Sequence, residues 1–549
     1  MSAGNGASGR SRVYIGTLGV YLGAGIVSLG QRLLSSGLPD LRGALGLGLD
    51  EAAWIPTAYN MALTFMGPFT VYMGALVGPR RVLLWAGAVF TMASTALPLV
   101  PGLSGVLALQ VVAGLASGTF FPLALTFALR TLPPHYLIYG IGAYSMELLS
   151  TLSIGTALMG WFAEHASWRW IFWTSAVLTP VMMLCVFLAV PPPPKRVDPR
   201  PRVSWQAFLF FSLGFGLLEG ALEQGERLDW FGSGTINAML IASAFLLVAG
   251  ALRRWWAPNP LVNLSFLAKR NTLILGAGIF TLRFVLLGTL VVVPSYLGTV
   301  QGYRPEETGR VLLWLAIPAV LMGVVAARLM KLLDPRLVAA IALAGVATAC
   351  LMNARLSSAW ASGQFWWPQL IMASGLAFYF VGEIGMIALQ GNESGIRTSP
   401  INAMTFTAYF HLLRLFGGQV GITLVQRFIF VRTTFHSSVL GRSVEAGSFL
   451  TEERLQSLTT GLLPGSSGLE EAQGRAAATL VGELTRQADT LAYADGFILI
   501  AWVCVGMMIL VACMKPMKNL FDEKEAANVL RSPGPTASPV VANPAGSAA

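Results

Sequence analysis

Five charged residues lie inside long apolar stretches of this chain: Arg32, Glu147, Arg283, Glu383 and Arg414. A charge at the centre of a membrane helix costs about 2.5–3.5 kcal/mol on insertion scales, so such side chains face the bundle interior and often serve function. Burial favours the neutral form of a carboxyl group, whereas a nearby arginine favours the ionised form. The five residues are therefore candidates for proton coupling. The alternative is that they form static ion pairs that hold helices together.

A second group of side chains could line an apolar pocket beside these charges. His411 lies three residues before Arg414, so the two share a helix face. Aromatic stripes also pack helices together or face lipid, and a buried histidine is often a hydrogen-bonded packing residue, so packing is the alternative for the whole group. Glu219 and Glu223 lie near the end of a seventh apolar stretch, and we interpret them as interfacial. The pocket candidates are Gln110, Phe120, Phe121, Tyr144, Tyr379 and His411.

Other kinds of chemistry lack their residues. No lysine follows a glycine, so the phosphate-binding GxxxxGK loop is absent, and so is the HExxH zinc motif. The four histidines are far apart in the sequence, and the four cysteines lie in or beside apolar stretches without a CxxC pair. We therefore expect no enzymatic activity, no metal and no cofactor.

The composition predicts that lipid surrounds much of the chain. Of 549 residues, 55% are hydrophobic and 11% are charged, with a mean hydropathy of +0.65. A soluble protein carries roughly a quarter charged residues. The net charge of +10 does not indicate nucleic-acid binding, because the lysines and arginines cluster between apolar stretches.

A membrane helix needs about 20 apolar residues, and this length predicts about fourteen spans. Lysines and arginines concentrate in alternate connections, which places both termini in the cytoplasm. The predicted spans are 13–38, 52–76, 82–100, 105–129, 137–161, 168–190, 205–222, 235–252, 273–297, 310–333, 336–353, 367–390, 400–430 and 492–513.

Several motifs, in order, resemble those of the major facilitator superfamily, specifically the fourteen-span drug:H⁺ antiporters of the EmrB/QacA type. In the first half these are SLGQRLLSSGLPDL, GALVGPRRVLL, LQVVAGLASGTFFPLAL and SIGTALMGWF. In the second half they are GERLDWF, NPLVNLSFLAKRN, VPSYLGTVQGYRPEETG, WPQLIMASGLAFYF and FHLLRLFGGQVG, in which Arg414 matches the family's arginine.

The resemblance implies an all-α integral membrane protein with the major facilitator fold, in which two six-helix bundles enclose a central cavity and two extra helices lie between them. The expected organisation is a cytoplasmic N-terminus (1–12), a first bundle (13–190), a basic proline-rich linker (191–204), two extra spans (205–252), a second bundle (273–513) containing an outside hairpin (431–491), and a largely disordered cytoplasmic tail (514–549).

The chain departs from the family pattern in its first half. The span-1 aspartate of the family falls on Gly30, the span-4 arginine on Gln110 and the span-5 motif proline on Thr156. The usual first-half proton pair therefore cannot be carried over. Glu147 and Arg32 are one candidate replacement.

The expected function is export of small amphipathic or hydrophobic compounds across a bacterial inner membrane by proton antiport, with the bilayer, the cargo and protons as partners. The outside hairpin is similar to that of relatives that work with a periplasmic adaptor and an outer-membrane channel. Two alternatives remain: proton-coupled uptake of an organic anion, and a non-transporting sensor or assembly subunit.

Overall fold

The computed structural model describes residues 4–123, 150–151, 153–189, 205–255, 267–393, 400–445 and 447–516, and within these ranges the regular elements are all helices. Ten of the described helices are long and apolar enough to cross a membrane. The all-α prediction is confirmed for this part of the chain. Fourteen spans are consistent with it, and the exact number stays a prediction.

The first half forms its own bundle around two clusters of buried side chains. Proline begins α3, where the missing backbone N–H has no helical partner to lose. Its helices are α1 (Gly4–Leu45), α2 (Leu49–Val77), α3 (Pro79–Ala96), α4 (Leu103–Ser117), α5 (153–165) and α6 (Trp170–Ala189).

Two further helices, α7 (Trp205–Gln224) and α8 (Gly234–Trp255), pack against each other and attach to the first half through α2. Glycines allow this attachment. A Cβ atom added at Gly216 would lie 3.1 Å from the Met61 carbonyl oxygen, and one at Gly220 would lie 2.5 Å from the Met61 sulfur. The α7 backbone therefore lies almost directly on α2.

The second half is organised around one large apolar core, to which the first half contributes only Ala24 and Phe121 among its buried members. Asp334 caps the start of α11 by accepting a hydrogen bond from the Arg336 backbone N–H at 2.9 Å. The helices of this half are α9 (Arg270–Thr299), α10 (Pro305–Leu329), α11 (Pro335–Asn353), α12 (Trp366–Glu393), α13 (Pro400–Gly441), α14 (Phe449–Leu462) and α15 (Leu469–Ala512).

The segment 431–491, here called the arm, is a helical extension formed by the end of α13, by α14 and by the first part of α15. None of the α14 side chains is buried. Ion pairs connect the helices, with Arg432 to Asp495 at 2.5 Å and Arg454 to Glu483 at 2.8 Å. The end of the bundle that carries the arm is called the arm end. Helices α1, α5, α7, α9 and α13 run towards it.

Candidate functional site

Glu383 is fully buried inside the second half, at the contact between α12 and α9. A side chain at Gly278 would collide with its carboxylate, so the glycine makes room for it. One turn earlier on α12, the Tyr379 hydroxyl donates to the Gly278 carbonyl oxygen at 3.0 Å. Neither oxygen of Glu383 has a hydrogen-bond partner among the described residues. A buried carboxylate without a cation is costly, so this environment accepts the neutral acid.

A cluster of basic side chains joins the two halves. The Arg414 guanidinium lies 3.8 Å from the ring centroid of Phe121, which belongs to the first half, and the His411 ring stacks on the same phenyl ring at 5.1 Å. A Cβ atom at Gly418, one turn after Arg414, would lie 3.7 Å from Nε of Arg283. The structure therefore brings together three predicted basic residues at the seam, by which we mean the boundary between the first and second halves.

His411 packs against α2 as well. A Cβ atom at Gly67 would lie 2.9 Å from the histidine Cδ2, so this glycine lets α2 and α13 approach. Neither ring nitrogen of His411 has a hydrogen-bond partner among the described residues. With arginines nearby, the neutral ring is the form that avoids a third positive charge.

Arg32 lines a polar cavity of about 340 Å³ between the two halves. Its Nε donates to the Thr156 hydroxyl at 2.7 Å, which gives a role to the residue that replaces the family proline. Gly155 leaves space for the arginine, because a Cβ atom there would lie 2.9 Å from the Arg32 Cγ. Both halves contribute walls. The polar lining comprises Arg32, Ser35, Ser36, Thr156, Ser295, Tyr303, Thr308 and Gln426.

Close backbone contact joins α5 and α10 at the arm end. A Cβ atom at Gly309 would lie 2.7 Å from the Ala157 Cα, and one at Gly160 would lie 2.8 Å from the Glu306 Cα. Here no side chain separates the two helices. The contact is beside the Arg32 cavity, which Pro305 and Thr308 of α10 also line.

The remaining predicted site residues have different environments. Gln110 is buried on α4, and its amide nitrogen has no hydrogen-bond partner within the described part of the chain. Phe120 packs edge-to-face on Phe90 in the core of the first half. Tyr379 is buried and bonded to backbone, as described above. Glu147 and Tyr144 lie outside the described residues.

The interpretation of Glu219 and Glu223 as interfacial stays a prediction, and within the structure the Glu219 side chain is buried, with 5% exposed. Both belong to α7, whose last turns pack against α2 and α13. An apolar cavity of about 530 Å³ lies between α2, α4, α7 and α8. Its lining includes Trp54, Met61 and Phe65.

Comparison with known proteins identifies the family to which this architecture belongs. The family model described as Major Facilitator Superfamily matches residues 20–417. The chain is 23% identical over 508 residues to the "Multidrug export protein EmrB" of Escherichia coli (strain K12), covering 92% of this chain and 96% of that protein. It is 24% identical over 420 residues to the "Fatty acid resistance protein FarB" of Neisseria gonorrhoeae, covering 74% and 79%.

Solved structures support the same fold. The proton:xylose symporter XylE superimposes with a TM-score of 0.58 at 10% identity, covering 95% of this chain and 99% of that chain. At this identity the likeness concerns the fold alone. Together with the family match, the two helix bundles and the apolar helices, it confirms the predicted fold class: the chain is a multi-pass membrane protein of the Major Facilitator Superfamily, a family of transporters rather than enzymes.

Proposed function

We propose that the protein is a secondary transporter that exports small amphipathic or hydrophobic compounds by proton antiport. The observation that carries the proposal is the polar cavity around Arg32, because helices from both halves line it. A site with walls from both halves can open alternately to each side as the halves rock. The relatives named for multidrug export and fatty acid resistance support an exporter of such compounds.

The charges at the seam favour anionic or neutral cargo. Arg32 lies in the cavity wall, and Arg283, Arg414 and His411 lie deeper along the same boundary. An arginine offers a planar set of N–H donors that suits carboxylate and sulfonate groups. A permanently cationic compound would have to approach these guanidinium groups. We therefore expect the protein to prefer amphipathic anions.

Glu383 is the first candidate for proton coupling within this function. Its neutral form suits the core described above, and a shift of α12 against α9 that admits water would favour release of the proton. Moving one charge through about 100 mV supplies about 2.3 kcal/mol, so one proton can drive cargo uphill without ATP. Arg283, Arg414 and Glu147 remain candidate partners in this step.

The proposal includes location and partners. The bacterial relatives named for export and resistance favour a bacterial inner membrane. The distribution of lysine and arginine favours both termini in the cytoplasm, so the arm projects into the periplasm. Phe449 and Leu450 at the start of α14 are 78% and 74% exposed. Apolar side chains exposed in this way are suited to a protein partner, and we propose a periplasmic adaptor that leads to an outer-membrane channel.

Inside-out vesicles with a preset pH gradient test the proposal. Three amphipathic probes are compared: the sulfonate 1-anilinonaphthalene-8-sulfonate, the quaternary cation ethidium and a neutral dye. A sulfonate and a quaternary cation do not carry protons through lipid themselves. We expect the sulfonate to dissipate the gradient and to accumulate, with ethidium the weakest. No effect from any probe, in vesicles that hold the protein, would contradict proton antiport.

Two alternatives are decided by the same vesicles. Uptake of an organic anion together with protons would dissipate a gradient of the opposite sign. A non-transporting sensor is favoured by Gly30 and Gln110, which stand where relatives carry a proton pair. It would move no probe in either direction.

A further inference from the structure

The last turns of α7 present two acidic residues to the seam. Glu219 and Glu223 are one helical turn apart and share a face. Glu219 is 5% exposed, and its Oε2 has no hydrogen-bond partner among the described residues. A carboxylate oxygen that is buried and without a donor is costly to keep ionised.

Glu223 is held from the first half. The amide nitrogen of Asn60 on α2 donates to both of its oxygens at 3.2 Å. The carbonyl oxygen of Asn60 in turn accepts from the amide nitrogen of Gln31 on α1, at 2.9 Å. A hydrogen-bonded chain therefore runs from α1 through α2 to α7. Gln31 neighbours Arg32, which lines the polar cavity.

The cations that surround this pair already have acidic partners. Arg227, just beyond α7, forms an ion pair with Asp50 at the start of α2 and donates to Gln224. Arg427 on α13 pairs with Glu226 at 3.0 Å. In each of these two pairs the cation has its own carboxylate. Glu219 and Glu223 are thus left without a cation among the described residues.

Helix α7 contacts both halves at this point. Gly216 and Gly220 lie against Met61 of α2, as described above. On the other side the Phe215 ring lies 5.4 Å from that of Phe416 on α13, and the Thr423 hydroxyl donates to the Leu222 carbonyl oxygen at 3.1 Å. If α13 moves relative to α2, one of these two contacts must slide.

We propose that Glu219 and Glu223 form a proton-binding site on the extra helix α7 that takes part in coupling. The inference rests on the proposed proton antiport. In the described conformation the pair binds one proton as a carboxylic acid. When α13 slides away, water reaches Glu219, its carboxylate is solvated, and the proton leaves to the water. The hydrogen bonds from Asn60 then keep Glu223 attached to the first half. The proton-binding site therefore stays with α2 while α13, which covers it, moves away.

Isosteric variants distinguish proton binding by Glu219 from a purely structural role of this residue. Glu219→Gln resembles the neutral acid in size and shape, so we expect it to fold as the wild type does. Glu219→Asp keeps a carboxyl group and is expected to retain coupling in part. Glu226→Gln is the matched control, because it removes a nearby carboxylate that has its own arginine.

Two transport assays in proteoliposomes use the sulfonate dye as probe. One measures dye accumulation driven by a pH gradient and membrane potential, and the other measures exchange of dye for dye without any gradient. For Glu219→Gln we expect accumulation to fall by up to about fiftyfold, the driving force of one charge at about 100 mV, with exchange retained. Glu226→Gln should retain both. Accumulation by Glu219→Gln and Glu223→Gln equal to that of the wild type would overturn the inference while leaving the proposed function intact.

A measurement without cargo covers the case in which the dye is not a substrate. Infrared difference spectra of the reconstituted protein, recorded between acidic and alkaline pH, report the carbonyl band of protonated carboxyl groups. We expect Glu219→Gln to remove part of a titrating band that Glu226→Gln leaves in place. If the wild type moves none of the three probes but Glu219→Gln loses part of this band, the proposed antiport fails and proton binding at the pair stands. An unchanged band in Glu219→Gln overturns the site.

Discussion

Arg32 and Glu383 are both charges within apolar stretches, yet they occupy opposite environments. Arg32 lies in a polar cavity between the halves and is oriented by the Thr156 hydroxyl. Glu383 lies inside the core of one half, beside a glycine and without a hydrogen-bond donor among the described residues. A cavity lined by both halves can meet cargo directly. A group inside one half can act only when its own bundle rearranges. The two positions therefore suit different tasks, cargo binding and proton binding.

Substitutions at two glycines of α9 are expected to have the largest effects, and they distinguish the environment of Glu383 from that of Arg32. Gly278→Val would collide with the buried Glu383 carboxylate, and we expect a loss of stability of about 3 kcal/mol or more. Gly298→Val places the same side chain in the Arg32 cavity, where a Cβ atom meets nothing within 4 Å. It should fold normally and transport poorly. Size-exclusion profiles and thermal unfolding of the extracted proteins provide the measurement. Equal stability of the two variants would contradict the packed environment of Glu383.

Glu383→Gln tests the proton role of the core position. The amide resembles the neutral acid, so we expect the free energy of unfolding to change by less than about 1 kcal/mol. Protection of a pump-deficient host against toxic amphipathic compounds should be lost, because an amide cannot bind and release a proton. Wild-type protein at the same expression level is the reference. Equal protection by both would exclude Glu383 as a coupling residue.

Arg32→Gln tests the cargo role of the cavity position. Glutamine can still donate to Thr156, but it removes the positive charge. We expect binding of the sulfonate dye to weaken about tenfold, equivalent to about 1.4 kcal/mol, with binding of the neutral dye unchanged. Arg32→Lys, which keeps the charge, should lose less. Fluorescence titration of the wild type and both variants measures the affinity for each dye. An equal loss of affinity for both dyes would indicate a structural role for Arg32 instead.

The smallest effect is expected at the connection between α10 and α11, outside both environments. The hydrogen bond from Arg336 lowers the pKa of Asp334 below its usual value. A lowered pKa gives stability that is present above about pH 4 and is lost as the pH falls through the folded-state pKa. Because the Asp334 side chain is 45% exposed, we expect Asp334→Asn to cost no more than about 1 kcal/mol. Thermal unfolding at neutral pH should show the difference, and acidification should reduce it.

Much of the helical layout could be predicted from apolar length alone, because about 20 apolar residues suffice to span a bilayer. The predicted span 336–353 illustrates this, since α11 begins at Pro335, one residue earlier, and ends at Asn353. The environment of Glu383 could not be predicted in the same way. It depends on which glycine of another helix faces the carboxylate, and that pairing is a property of helix packing.

The burial of Glu219 was missed for a related reason. It lies near the end of its apolar stretch, and sequence position alone made it interfacial. A signal was present nonetheless: Gly216 and Gly220 are spaced one turn apart, as are Glu219 and Glu223. Small residues at that spacing permit close helix contact. Acidic residues next to these glycines then become buried where the two helices meet. Reading the two spacings together would have predicted burial.

The glycine contact between α5 and α10 affects how the two halves separate during the transport cycle. With backbone against backbone, no rotamer can fill a slight separation of these helices. A gap narrower than a water molecule would be empty and would forfeit the attraction across it. Small displacements are therefore unfavourable until the gap is wide enough to become wet. We expect the arm end to part in single abrupt events, with few half-separated molecules at any moment.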